Sequence, residues 1–254
     1  MTAGNAVKSI QVKLLLVRHG ATAGNAEKRY VGRTDEPLSE VGKEKLRDFC
    51  TAGRYFDISD SPKFVFTSPM KRCVETAQIL FPDVKPVVIE NFRETDFGLF
   101  EGKNYDEFMA DAILKAEYQK WIDSNGTAAF PGGESREAFI ERTMRGFQTM
   151  MNFVRENCAE CGRSDVLDEQ RDVVAGCEKP GFDVNNEETL PTVAAVVHGG
   201  SIMAILSALC GGSFYDYQVE NGGGYVCTAR IEQANSELDF TFEYTIDRIE
   251  RLLS

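Results

Sequence analysis

The chain holds two histidines, His19 and His198, and each stands where an apolar run gives way to glycine. The first lies in Leu14-Leu15-Leu16-Val17-Arg18-His19-Gly20, the second in Val193-Ala194-Ala195-Val196-Val197-His198-Gly199-Gly200. A neutral imidazole near pH 7 is already a competent nucleophile, whereas a serine hydroxyl must first be deprotonated. Arg18 beside it brings a guanidinium fork suited to oxyanions. The amides of Gly199 and Gly200, read as opening a helix, add a further anion site. These parts describe a nucleophile set among groups that bind negative charge.

Short apolar runs bounded by turn residues read as fully buried parallel strands. Ligands of open α/β sheets sit beyond the carboxyl ends of such strands, where both imidazoles are delivered. A second short strand is expected at Lys63–Thr67, followed by Ser68 as N-cap and Pro69 as first helical residue. That helix, running to about Leu80, would bring Arg72 in its first turn to the same sheet edge. A loop from Phe92 to Gly102 then offers three acids, Glu94, Asp96 and Glu101, as proton donors.

The remaining expected elements are a helix capped by Ser39 and ending near Thr51, with Leu46, Phe49 and Cys50 on one face, and a strand at Lys85–Ile89. One amphipathic helix is expected from Asn104 to about Asp123, through Tyr105, Phe108, Met109, Ala112, Ile113 and Ala116. Pro131-Gly132-Gly133 ends that pattern. A helix from about Glu134 to Arg155 follows, its stripe of Phe139, Thr143, Phe147, Met150, Met151 and Val154 read as core. Val193–Val197, a helix at Ser201–Leu209, and strands at Tyr225–Ile231 and Asp239–Asp247 complete an α/β chain.

The 254 residues suit one large α/β domain, 1–254. Residues 156–190 differ in texture, with ten acidic side chains against three basic ones, and read as an insertion. The net charge of −12 argues against nucleic-acid partners. No apolar stretch approaches the roughly 18 residues that span a bilayer, and Met1–Lys13 lacks a signal segment. A cytoplasmic protein without membrane or nucleic-acid partners, monomeric or homodimeric, is therefore expected. Seven cysteines, an odd number, suggest reduced thiols. Cys158-x-x-Cys161 with Cys177 falls short of the four ligands that a zinc site wants, so neither metal nor cofactor is expected.

Arg18-His19-Gly20-x-Thr22-x-x-Asn25, with the late strand ending in His198-Gly199, resembles the histidine phosphatase superfamily of phosphoglycerate-mutase-like fold. The resemblance implies a three-layer αβα sandwich whose central sheet is mostly parallel, with an antiparallel edge strand. It implies His19 as nucleophile, forming a phosphohistidine, with Arg18, Arg72 and His198 around the phosphoryl group. Arg93-Glu94-x-Asp96-Phe97-Gly98 resembles the acid-carrying segment of the phosphatase branch, which selects Glu94 as general acid and later base. Asn25 and Gly32 match positions lining the phosphate pocket, to which the Gly199 amide at the helix start is expected to add its N–H.

Departures from the mutase pattern at Val31-Gly32-Arg33 and Phe97-Gly98 favour a phosphatase over a 2,3-bisphosphoglycerate-dependent mutase. Pro131-Gly132-Gly133-Glu134-Ser135 followed by Arg142 resembles α-ribazole phosphatases and broad-specificity phosphatases. The expectation is thus a metal-independent phosphomonoesterase acting on small phosphorylated metabolites. A silent phospho-ligand or protein-binding module is disfavoured, because no residue of the set is missing. Tyr105, Phe108 and Trp121 could wall a nucleoside or sugar site, although helix packing explains them equally well.

Overall fold

The computed structural model describes residues 9–51, 53, 61–159, 190–233 and 242–252. Six strands form one sheet in the order β3-β2-β4-β1-β5-β6. These are β1 (Ile10–Arg18), β2 (Phe64–Thr67), β3 (Val87–Val88), β4 (Thr192–Val197), β5 (Gly224–Gln233) and β6 (Phe242–Leu252). The first four run parallel, β5 is antiparallel to β1, and β6 is antiparallel to β5. The expected mostly parallel sheet with antiparallel pairing toward one edge is what forms. β1 begins earlier than its apolar run suggests because Ile10–Lys13 also pair with β5.

Alternate residues of the central strands feed two different cores. Leu14 and Leu16 of β1 with Val193, Ala195 and Val197 of β4 pack against α6 (Arg136–Ala159) and α7 (Gly199–Cys210). Leu15 and Val17 with Ala194 and Val196 pack on the other face against α2 (Glu40–Thr51) and α3 (Lys71–Leu80). This period-two split gives three layers. It also places the helices that follow β1 and β4 on opposite faces, so the adjoining ends of these strands form a switch-point crevice. A third apolar cluster, around Phe100, Phe108 and Phe130, lies apart from the sheet cores.

Several boundaries depart from expectation for local reasons. Ser39 does cap α2, accepting from the Gly42 N–H at 3.0 Å, but Cys50 on that helix is exposed. Ser68 is not a cap: α3 starts at Lys71 with Met70 at the N-cap and no side-chain cap bond. The expected helix 104–123 divides into α4 (Tyr105–Ala110) and α5 (Ala112–Asp123). Asp111 causes the break, because its carboxylate accepts from the N–H groups of Ile113 and Leu114 and starts a new helix. Ala112, Ile113 and Ala116 are consequently exposed rather than part of an apolar face. α6 begins after Ser135, whose hydroxyl accepts from the Ala138 N–H, and continues to Ala159. Its apolar stripe is core, with Thr143, Phe147, Met150, Met151 and Val154 fully buried. A four-residue helix α1 (Ala23–Ala26) completes the helices named.

Most of the acidic segment, with Cys161 and Cys177, lies outside the described residues, as does Asp239–Thr241. Among the described residues no group of three or more His, Cys, Asp or Glu side chains is placed to hold a metal ion. None of the described helices is long and apolar enough to cross a membrane.

Candidate active site

β1 and β4 pair with Arg18 opposite Val197, so the residues that follow them, His19 and His198, emerge side by side. Their rings lie 5.2 Å apart, edge to face at 69°. Both are buried. His19 Nδ1 lies 2.7 Å from the Gly20 carbonyl oxygen. A carbonyl can only accept, so Nδ1 carries the proton and Nε2 keeps its lone pair. Burial, and then the charges of Arg72 and Arg18, hold the His19 pKa well below 6.5. The ring is neutral at pH 7, as a nucleophile must be.

His198 is the N-cap of α7, with its Nε2 2.8 Å from the Ser68 hydroxyl. Ser68 therefore serves the site through its side chain rather than capping α3. Burial and Arg72 likewise press the His198 pKa well below 6.5. Its Nδ1 faces Glu94 Oε2 at 3.7 Å. Burial raises the Glu94 pKa above the ordinary carboxyl value, against the pull of the Thr95 N–H and the nearby arginines. A buried carboxyl of this kind can hold a proton and deliver it.

The competing acids are spoken for. Asp96 accepts from the Gly98 N–H and pairs with Arg33 at 3.2 Å. Glu101 Oε1 accepts from the N–H groups of Gly32 and Thr34, both at 2.8 Å. Geometry thus brings Glu94, and neither neighbour, against the histidine pair.

Arg18 and Arg72 converge on the pair, though not with open forks. Arg18 donates from Nη1 to the Val219 carbonyl at 2.7 Å, and burial lowers its pKa. Arg72, wholly buried on α3, gives its terminal nitrogens to the carbonyls of Val31, Gly32 and Thr34. The Nε atoms of both arginines are buried and without a hydrogen-bond partner. Ser201 Oγ, in the first turn of α7, is likewise unpartnered. Buried donors of this kind, with the free amides of a helix N-terminus, suit an oxyanion.

Two glycines shape the cradle. A Cβ on Gly199 would press on Arg18 Nε at 3.3 Å, and one on Gly200 would meet Glu94 Oε1 at 2.9 Å. The glycine pair thus admits the arginine and the acid to the start of α7.

Asn25 and Gly32 flank this centre and act on the protein itself. Asn25 Oδ1 accepts from Thr22 N–H and Asn221 Nδ2, closing the turn after His19. Gly32 engages its N–H with Glu101 and its carbonyl with Arg72, and a Cβ there would lie 2.0 Å from the Thr95 carbonyl. Asn221 carries no sequence signal beyond its glycine-rich loop, yet its Nδ2 also reaches the His19 carbonyl at 3.2 Å. Thr76, which accepts from the Gly20 N–H at 2.9 Å, is similarly silent in sequence.

Beside Glu94 opens a cavity of about 1030 Å³, lined among others by Gly32, Arg33, Asp96, Ser135 and Arg142. The aromatic residues suggested as its wall are elsewhere. Phe108 is fully buried in the third cluster, and Trp121 stacks on Phe130.

The sequence model of the histidine phosphatase superfamily (branch 1) matches residues 14–159, more than half of the chain. The chain belongs to this superfamily. A bifunctional protein of Mycobacterium tuberculosis is 34% identical over 139 residues, covering 53% of this histidine phosphatase chain and 36% of that protein. The chain thus spans about a third of that relative's length. Glucosyl-3-phosphoglycerate phosphatase of Mycolicibacterium vanbaalenii is 28% identical over 215 residues, 84% of this chain and 80% of the relative. The crystal structure of the α-ribazole phosphatase from Shigella flexneri superposes with a TM-score of 0.61 at 20% identity, over 92% of this chain and 94% of its own. Likeness at that identity shows the shared fold.

Proposed function

We propose that this histidine phosphatase family member is a phosphomonoesterase that hydrolyses small phosphorylated metabolites through a phosphohistidine on His19. The observation that carries the reading is the 2.7 Å approach of His19 Nδ1 to the Gly20 carbonyl, an acceptor that assigns the proton to Nδ1 and leaves Nε2 as the nucleophile. Nε2 attacks phosphorus and the ester P–O bond breaks. The departing oxygen takes the proton of Glu94. Glu94, now a carboxylate, takes a proton from water, whose oxygen attacks phosphorus. The P–N bond then breaks, returning neutral His19 and inorganic phosphate.

Charge on the phosphoryl oxygens is met by the Nε atoms of Arg18 and Arg72, by His198, and by the α7 amides at Gly199 and Gly200. The cavity beside Glu94 takes the leaving group. Kinship with phosphatases acting on α-ribazole phosphate and glucosyl-3-phosphoglycerate makes sugar and nucleoside monophosphates the substrate class to examine.

The test is phosphate release from p-nitrophenyl phosphate with EDTA present, in wild type and His19→Ala. A panel with 3-phosphoglycerate, α-ribazole 5′-phosphate and sugar phosphates is run alongside. EDTA-resistant turnover lost with His19 supports the reading. Interconversion of phosphoglycerates faster than phosphate release would replace it with a mutase.

A further inference from the structure

The backbone carbonyls on either side of Glu94 are gripped by an ion-paired arginine from outside its own loop. On α6, the Nε and Nη2 atoms of Arg142 meet both carboxylate oxygens of Glu134 at 3.0 and 2.7 Å. The guanidinium simultaneously donates from Nη1 to the carbonyls of Asn91 and Arg93, each at 3.0 Å, and from Nη2 to that of Glu94 at 3.4 Å. Glu134 in turn donates its own N–H to the Asp96 carbonyl at 2.9 Å. Gly133 makes this approach possible, since a Cβ there would lie 2.3 Å from that same carbonyl. The pair is four-fifths shielded from solvent, so its geometry is firm and its charges are weakly screened.

We propose that Arg142 and Glu134 form a clamp that positions the general acid. Arg142 fixes the carbonyls of Arg93 and Glu94, and Glu134 offsets the charge of Arg142 so that Glu94 keeps its proton. The proposal rests on Glu94 being the acid. Both residues line the cavity beside Glu94, and the clamp has them act through Glu94 rather than on the reacting atoms.

The second half of the clamp follows from what surrounds Glu94. Arg18 faces it from β1, Arg72 from α3, Arg142 from α6 and His198 from the start of α7. The Thr95 N–H donates to its Oε1 at 2.9 Å. Each of the three arginines, and that N–H, favours the carboxylate over the acid, while His198 faces it as a neutral ring. Arg142 is the member of this set that carries a bidentate carboxylate. Its hydrogen bonds are thereby available to the loop while its charge is offset.

The experiment measures kcat/KM, which reports the steps through leaving-group departure, across phosphate esters of rising leaving-group pKa. Leaving groups such as p-nitrophenolate depart without a proton, whereas alkoxides need one. Arg142→Lys keeps the charge and loses the fork; Glu134→Gln keeps the shape and loses the charge. Both variants are expected to lose about tenfold more on alkyl phosphates than on p-nitrophenyl phosphate. In Glu134→Gln the alkaline limb of the alkyl-phosphate profile should also move to lower pH.

A purely structural role would lower both substrates in parallel and leave the limb in place, which would overturn the clamp. Glu94→Gln is the control. Selective loss there, with parallel loss in the two clamp variants, removes the clamp alone. Parallel loss in Glu94→Gln removes the acid assignment and the clamp with it. Should Arg142→Lys fail to fold, Glu134→Gln with its pH profile carries the decision.

Discussion

His19 spends the proton of its Nδ1 on the carbonyl of its own neighbour, Gly20, at 2.7 Å. That bond sets the tautomer from within the backbone, and Thr76 and Asn221 then fix the backbone itself. A phosphorylated intermediate should therefore form at Nε2. Mixing with labelled ester and quenching in base should trap the phosphoenzyme, because a P–N bond survives alkali and hydrolyses in acid. His19→Ala should trap none and lose more than about 10³-fold in kcat/KM. Label that survives acid and is lost in base would point to a different nucleophile.

Glu94 and the histidines are pushed in opposite directions by the same burial. The protonated acid and the neutral imidazole must coexist, so activity is bounded below by His19 and above by Glu94. On alkyl phosphates, kcat/KM should decline toward alkaline pH as Glu94 ionises. Glu94→Gln should remove that limb and lower the rate by about 10²- to 10⁴-fold. An unchanged alkaline limb in Glu94→Gln would mean that another group supplies the proton.

The strands and both histidines were legible because buried parallel strands are written as apolar runs and their ends are marked by His-Gly. Arg72 was placed by its spacing along the helix after β2. The error at Ser68 is instructive: Ser-Pro is a good helix start, yet the hydroxyl is drawn to a buried imidazole across the sheet. Asp111 broke a periodic helix because cap chemistry outweighed a weak apolar face. Asn221, Thr76 and the Glu134–Arg142 clamp act over long sequence separations, and a local pattern does not record such contacts. The fork geometry of Arg72 was also hidden, since its partners are backbone carbonyls.

Ser68 gives His198 Nε2 its oxygen partner at 2.8 Å, in a place that solvent does not reach. Cys73 Sγ, 3.6 Å from the same nitrogen, is a weak substitute. Ser68→Ala should cost about 1–3 kcal/mol of stability by leaving a buried ring nitrogen poorly satisfied. It should also lower kcat/KM by about tenfold through a mobile His198, measured alongside urea unfolding at pH 7. A variant as stable and active as wild type would show that Ser68 is dispensable to the site.

Acid stability offers a test that needs no substrate. His19 and His198 stay neutral in the fold while their unfolded counterparts protonate near 6.5. The unfolded state then binds more protons, and stability falls as pH drops through that value. Glu94 works in the opposite sense, holding in the fold a proton that the unfolded chain gives up above 4.5. Each group contributes at most about 1.4 kcal/mol per pH unit within its window. Between about pH 6.5 and 4.5 the two histidines therefore outweigh the acid. Urea unfolding at pH 7, 6 and 5 should show His198→Gln flattening the acid loss and Glu94→Gln steepening it. If His198→Gln left the slope unchanged, His198 would be titrating alike in the folded and unfolded chains, which its burial beside Arg72 forbids.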